Sequence, residues 1–158
     1  MLSKSLARIK SVPKHYAIAV LAVVAAALIV TVYSKTGSTD VPGASYRLSF
    51  ADRSYDLLVA VSGAEQERGL SGRANLPGNQ GMLFWYPDSQ ERCFWMKDMQ
   101  FPLDIMWVSA DKTVVKLAEN VQPDTYPEAF CAKAQYVIEL NAGQAERNRL
   151  QQGQSLNF

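Results

Sequence analysis

The chain has 158 residues with ordinary apolar and charged content, enough for one domain around a single core, which excludes a second folded domain and gives no reason to expect disorder. Charge is unevenly placed: residues 1–35 hold five cations (Lys4, Arg8, Lys10, Lys14, Lys35) and no acid, so 11 of the 16 Lys and Arg face all 15 acids in the remainder, which is about −4. A mildly acidic domain with scattered cations has no stripe that tracks phosphates, so nucleic acid is not an expected partner.

Residues 16–34 (YAIAVLAVVAAALIVTVYS) carry no charge, and 19 residues at 1.5 Å rise reach about 28 Å, close to the hydrocarbon thickness of a bilayer. Tyr16 and Tyr33 bracket the run as interfacial aromatics do. The cations before it place a basic segment 1–15 in the cytoplasm and the main domain outside, periplasmic if the cell has two membranes. A bacterial single-pass signal anchor is expected. A cleaved secretory signal is the alternative, but the run ends in Thr31-Val32-Tyr33-Ser34-Lys35, a poor cleavage site, and no cysteine follows that could carry a lipid. Both readings give the domain the same compartment.

Residues 35–44 (KTGSTDVPGA) read as a juxtamembrane linker, and the folded domain is expected over 45–158. Tyr46, Leu48 and Phe50 alternate with polar residues, as do Tyr55, Leu57, Val59 and Val61, which predicts a hairpin. Ser62 and Glu65 fit a capping box that opens a short helix over 63–68, stopped at Gly69. Residues 70–81 contain Gly72, Pro77, Gly78 and Gly81 and read as a long loop that packs back on the domain. Short strands are expected over 82–86, 93–96, 105–109, 113–117 and 136–140, with a tight turn at 110–112. Asn141 is positioned to cap a helix reaching about Leu150, and 155–158 reads as a last strand. Such spacing suggests a sandwich or barrel.

Cys93 and Cys131 both lie on the oxidising side of the expected membrane span, so a disulfide is the leading reading, with a reactive thiol pair or a metal site as competitors. Its loop of about 38 residues would contribute roughly 4 kcal/mol by chain entropy. The one histidine, His15, precedes the span and lies on the other side. That separation excludes a Ser-His-Asp triad and histidine-ligated zinc in the domain, and no metal or cofactor is expected. Chemistry would have to come from carboxylates, Lys97, a tyrosine or an oxygen-ligated cation.

The segment Cys93 to Ile105 sets Lys97, Asp98 and Asp104 among large apolar residues. Glu139 interrupts the apolar run Tyr136-Val137-Ile138-Glu139-Leu140 and by alternation shares a face with Val137. Charges so placed cost several kcal/mol if buried alone, so they are structural ion pairs, solvent-facing groups or a site. As a site, Arg73 from the Gly-rich loop, Lys97, Asp98, Asp104 and Glu139 beside Trp95 would form a pocket with an aromatic wall for a small polar ligand or a sugar.

The residues resemble domain-of-unknown-function family 192 in five ordered blocks: Glu67-Arg68-Gly69-Leu70 with Arg73 and Leu76, Gly81-Met82-Leu83-Phe84, Phe94-Trp95-Met96-Lys97, Pro102-Leu103-Asp104-Ile105, and Tyr136 through Gly143. Where the family continues its Trp-Met-Lys block with Asn-Thr, this chain has Asp98-Met99. The resemblance implies a mostly β, jelly-roll-like sandwich or partly open barrel of short antiparallel strands with one or two short helices, often exported or membrane-anchored, and implies no reaction. The leading functional expectation is a ligand-binding or interaction module of the cell envelope rather than an enzyme. A carboxylate-dependent hydrolase using Asp98, Asp104 or Glu139, and a structural role in which the Ala25-Ala26-Ala27 stretch of the span packs on a partner helix, are the alternatives.

Overall fold

The computed structural model describes residues 46–49 and 53–158. The expected membrane span, His15 and the linker lie outside these residues, and among the described residues no helix is long and apolar enough to cross a membrane.

The domain is built on one open six-stranded sheet. In chain order the elements are β1 (Tyr46–Ser49), β2 (Ser54–Ala60), helix α1 (Gly63–Arg68), β3 (Gln80–Phe94), β4 (Leu103–Val108), β5 (Val114–Val121), a 3-10 turn (Pro123–Thr125), β6 (Phe130–Asn141) and helix α2 (Gln144–Arg147). The spatial order is β1-β2-β3-β6-β4-β5. The alternation of Leu48 with Tyr55 and Leu57 does produce a hairpin, β1 antiparallel to β2 with Leu48 opposite Tyr55. The mostly β fold with two short helices is as expected, but the expected sandwich or partly open barrel of antiparallel strands is corrected: there is a single open sheet, and in it β2 and β3 are parallel, from Asp56 opposite Gln80 to Ala60 opposite Phe84. A parallel pair cannot be closed by a tight turn and needs a crossover, and residues 61–79 with α1 supply it.

Both faces of the sheet are covered, which explains why all six residues of β4 are buried. One face, here the crossover face, packs Met82, Phe84, Ile105, Trp107 and Val137 under Leu70 and Leu76 of the crossover. The opposite, C-terminal face packs Leu57, Leu83, Met106, Ile138 and Leu140 under Ala145, Leu150 and Leu156. Residues 155–158 form only isolated bridges, to Ser49 and Thr113, rather than the expected strand. Asn141 ends β6 instead of capping a helix: its amide donates to the Leu76 carbonyl at 2.9 Å, and Gly143 stands at the N-cap of α2.

The strand expected over 82–86 and the first half of that expected over 93–96 belong to one strand, β3, bent where the register with β6 slips between Trp85 and Gln90; Trp95 and Met96 lie beyond its end. Ten residues of straight strand cover about 33 Å, yet the rings of Phe84 and Phe94 lie 4.7 Å apart, edge to face. The far halves of β3 and β6 therefore fold back over the crossover face. They are fastened there by the Trp107 indole donating to the Arg92 carbonyl at 2.7 Å and by Lys116 donating to the Cys131 carbonyl at 3.1 Å. Cys93 and Cys131 stand directly opposite in this folded-back ribbon and are joined by a disulfide.

Gly81 sits where three strands crowd. A Cβ there would lie 2.5 Å from a methyl of Leu140, 2.7 Å from one of Leu57 and 2.8 Å from the Glu139 carbonyl oxygen, so only glycine lets β3 approach β2 and β6 this closely.

Candidate functional site

The folded-back ribbon does not lie flat on the crossover face, and α1 stands beside it. The Ser62 hydroxyl accepts from the Glu65 amide while the Glu65 carboxylate accepts from the Ser62 amide, which fixes where α1 starts and so where Gln66, Glu67 and Arg68 project. At the other end Gly69, with φ of +49°, turns the chain over the Phe84 ring, where a Cβ would meet ring carbon at 3.2 Å. Leu70 then plugs into the core. Two further bonds tie the crossover to the segment after β3: the Gly72 amide donates to the Asp98 carbonyl at 2.9 Å, and the Ser71 hydroxyl to the Lys97 carbonyl at 2.9 Å.

Between α1, the ribbon and the sheet lies a cavity of about 360 Å³. Its walls are the last turn of α1 with Gly69 to Ser71, the aromatic side chains of Phe84, Tyr86, Phe94 and Trp95, and Met99, with Cys93 at the ribbon side. Its buried polar group is Glu139. The side chain is 5% exposed, and its Oε2 is buried with no hydrogen-bond partner. Burial pushes the carboxyl from its ordinary 4.5 up to about 8, so at neutral pH it is held mainly as the neutral acid. Tyr86, on β3, has its phenol raised above the ordinary value by burial; the nearby Arg92 cation opposes this and the Glu139 charge adds to it. The Arg92 guanidinium lies 3.9 Å from the centroid of the Tyr86 ring and is anchored to Asp88 at 2.6 Å, while its Nε is buried and unpartnered.

A second, more open hollow of about 360 Å³ adjoins the first and shares Glu67, Arg68, Ser71 and Trp95 with it, adding Ala64, Lys97 and Asp98. Trp95, 48% exposed, therefore stands between a cleft that contains the buried Glu139 and a slightly more open hollow with exposed charges.

These placements divide the candidates drawn from the sequence. Glu139 and Trp95 line the first cavity, Trp95 with Lys97 and Asp98 the second hollow. Arg73 is exposed and lines neither. Asp104 is fully buried on the other face, where one carboxylate oxygen accepts from the Asn120 amide at 2.8 Å and the other from the Ala145 amide at 2.7 Å. It is a clasp joining β4 to β5 and α2. Tyr86, Gln66 and Met99 were not singled out from the sequence. Tyr86 could have been, because alternation from Phe84 carries it to the same face. Among the described residues no group of three or more His, Cys, Asp and Glu is placed to hold a metal ion.

Residues 47–158 match the model of domain-of-unknown-function family 192, described as Uncharacterized ACR. No curated protein matches the chain. Among solved structures, a Sinorhizobium meliloti protein provisionally described as a transcription regulator is 29% identical, with a TM-score of 0.65 over 70% of this chain and 89% of that one. A protein of unknown function from Novosphingobium aromaticivorans is likewise 29% identical, with a TM-score of 0.64 over 71% of this chain and 82% of that one. Four of the five sequence blocks noted above, those containing Glu67 to Leu70, Phe84, Phe94 with Trp95, and Glu139, meet at the cavity that Glu139 lines. By its sequence, the chain belongs to domain-of-unknown-function family 192.

Proposed function

We propose that the domain is a small-ligand-binding module displayed at the cell envelope, held to the membrane by residues 16–34, and that the cavity beneath Trp95 is its binding site. The observation that carries this reading is Glu139: a carboxyl 5% exposed, lining a cavity, with a buried oxygen that no protein group satisfies. An unsatisfied buried polar atom costs about 1–3 kcal/mol, a cost that a bound hydrogen-bond donor removes. Aromatic walls with a few convergent polar groups, in a cavity of about 360 Å³, are what small-molecule sites present. The test is a thermal-shift screen of the full chain against sugars, amino acids and amines. Ligands that raise the melting temperature of the wild type but not of Trp95→Ala or Glu139→Ala support the reading. Shifts equal in all three proteins, or none, count against it.

A second reading has one observation in its favour. Glu67 lines the same cavity as Glu139, so a buried carboxyl and an exposed one face a common space, as the two carboxyls of a hydrolase do. Hydrolysis of an envelope glycan by the wild type, abolished in both Glu139→Gln and Glu67→Gln, would favour it over binding alone.

A further inference from the structure

The composition of the cavity narrows what it accepts, given that it binds a small ligand at all. At about 30 Å³ for each water-sized group, about 360 Å³ admits roughly a dozen non-hydrogen atoms, the size of a monosaccharide or an amino acid. The charged groups on the walls are Glu67 and Arg68 of α1, which are exposed, of opposite sign and adjacent. Exposed charges of this kind are screened by water and together contribute little field inside. On β3, Arg92 is committed to Asp88 and to the Tyr86 ring. Lys97 and Asp98 face the open hollow. On β4, the residue paired with Glu139 is Ile105, which carries no charge. The interior therefore offers a visitor the Glu139 carboxyl with an unpartnered oxygen, the Tyr86 phenol, whose pKa is raised by burial, and the rings of Phe84, Phe94 and Trp95.

We propose that the ligand of this cavity is cationic, a monosaccharide-sized or smaller molecule whose protonated amine lies against the Glu139 carboxylate among the aromatic walls. An ammonium donates three hydrogen bonds, supplies the countercharge that a buried carboxylate needs, and is attracted to aromatic faces. A neutral hydroxyl supplies only a donor. Because the empty site holds Glu139 as the neutral acid at pH 7, entry of the cation displaces the carboxyl proton to solvent. Ligand and protein then form an ammonium–carboxylate pair with one proton released. The linkage has a definite sign: binding tightens as pH rises through about 8, where the carboxyl of the empty site is half ionised, and levels off above it.

The experiment is calorimetric titration of the full chain with cyclohexylmethylammonium and with its neutral isostere cyclohexylmethanol, from pH 6 to pH 9. We expect the ammonium to bind at least tenfold more tightly than the alcohol at pH 8. Its affinity should gain about tenfold from pH 6 to 7 and about fivefold from pH 7 to 8, and buffers of different ionisation enthalpy should report release of up to one proton at the acid end. Glu139→Gln should lose the ammonium preference and its pH dependence. Equal affinities of the two isosteres for the wild type, or an ammonium affinity unchanged in Glu139→Gln, would overturn the cation assignment and leave the binding cavity standing. Failure of the ammonium to bind overturns the assignment as well, and the broader screen of neutral ligands then decides separately whether the cavity is a site. The isostere comparison needs only the wild type, so it decides even if the variant does not fold.

Discussion

The two faces of the sheet treat a buried carboxyl in opposite ways. On the C-terminal face both oxygens of Asp104 are taken by backbone amides, and next to them the Tyr55 hydroxyl donates to Gln144 at 2.7 Å and accepts from Asn148 at 2.8 Å. Every one of these polar contacts lies within the protein. On the crossover face Glu139, one residue along from the partner of Asp104 in the β4–β6 register, meets a cavity and an unfilled acceptor. Burial alone does not mark a functional acid. What distinguishes the two is whether the fold itself supplies the donors, and only Glu139 leaves that to something else.

The contrast can be broken at several points, beginning with the largest effect. Replacing Cys93 and Cys131 together by Ser should cost about 4 kcal/mol, because the bond closes a loop of 38 residues in the unfolded chain. It should also loosen the ribbon that roofs the cavity, so chemical denaturation and hydrogen exchange of residues 90–94 and 130–134 should change together. Asp104→Ala, which strands two backbone amides, should cost about 3 kcal/mol in denaturant with no change in ligand binding per folded molecule.

Glu139→Gln is the mirror experiment and should act in the other direction. The unfolded carboxyl titrates near 4.5 and the folded one near 8, so below 4.5 both states are protonated and its contribution is full. As pH rises from 4.5 to 8 only the unfolded state ionises, and stability is lost until both are charged. The wild type should therefore lose on the order of 2 to 3 kcal/mol between pH 5 and 8 that Glu139→Gln does not lose, as thermal or urea denaturation across that range will show. Gly81→Ala should cost about 2 kcal/mol through crowding of Leu57, Leu140 and the Glu139 backbone. Trp95→Ala, at a side chain 48% exposed, should change stability by under about 1 kcal/mol while removing ligand-induced stabilisation.

Some of this architecture is legible in the residues alone. Alternation of Leu48, Tyr55 and Leu57 suffices for the first hairpin, Ser62 and Glu65 for the start of α1, and the run around Glu139 for its place on the face of Val137. The parallel β2–β3 pairing was not, because a crossover whose helix has six residues has the same surface pattern as a loop between antiparallel strands. β3 spans two of the expected strands: Pro87, Asp88 and Ser89 between them have the composition of a turn, yet they lie within the strand, at the bend that folds the ribbon back. The site was half legible for the same reason. Glu139 and Trp95 stand out by composition, but Tyr86 and the end of α1 become their neighbours only through that bend. Asp104 resisted reading because its partners are backbone amides, which leave no trace in residue identity.

The most direct measurement is the titration of Glu139 itself, followed by the carboxyl carbon resonance in 13C-labelled protein and assigned by its loss in Glu139→Gln. A midpoint near 8 is the expected result, and it should fall when cyclohexylmethylammonium is bound. A midpoint near the ordinary 4.5 would contradict the account, since the carboxyl would then have a partner or water that makes it no different from Asp104.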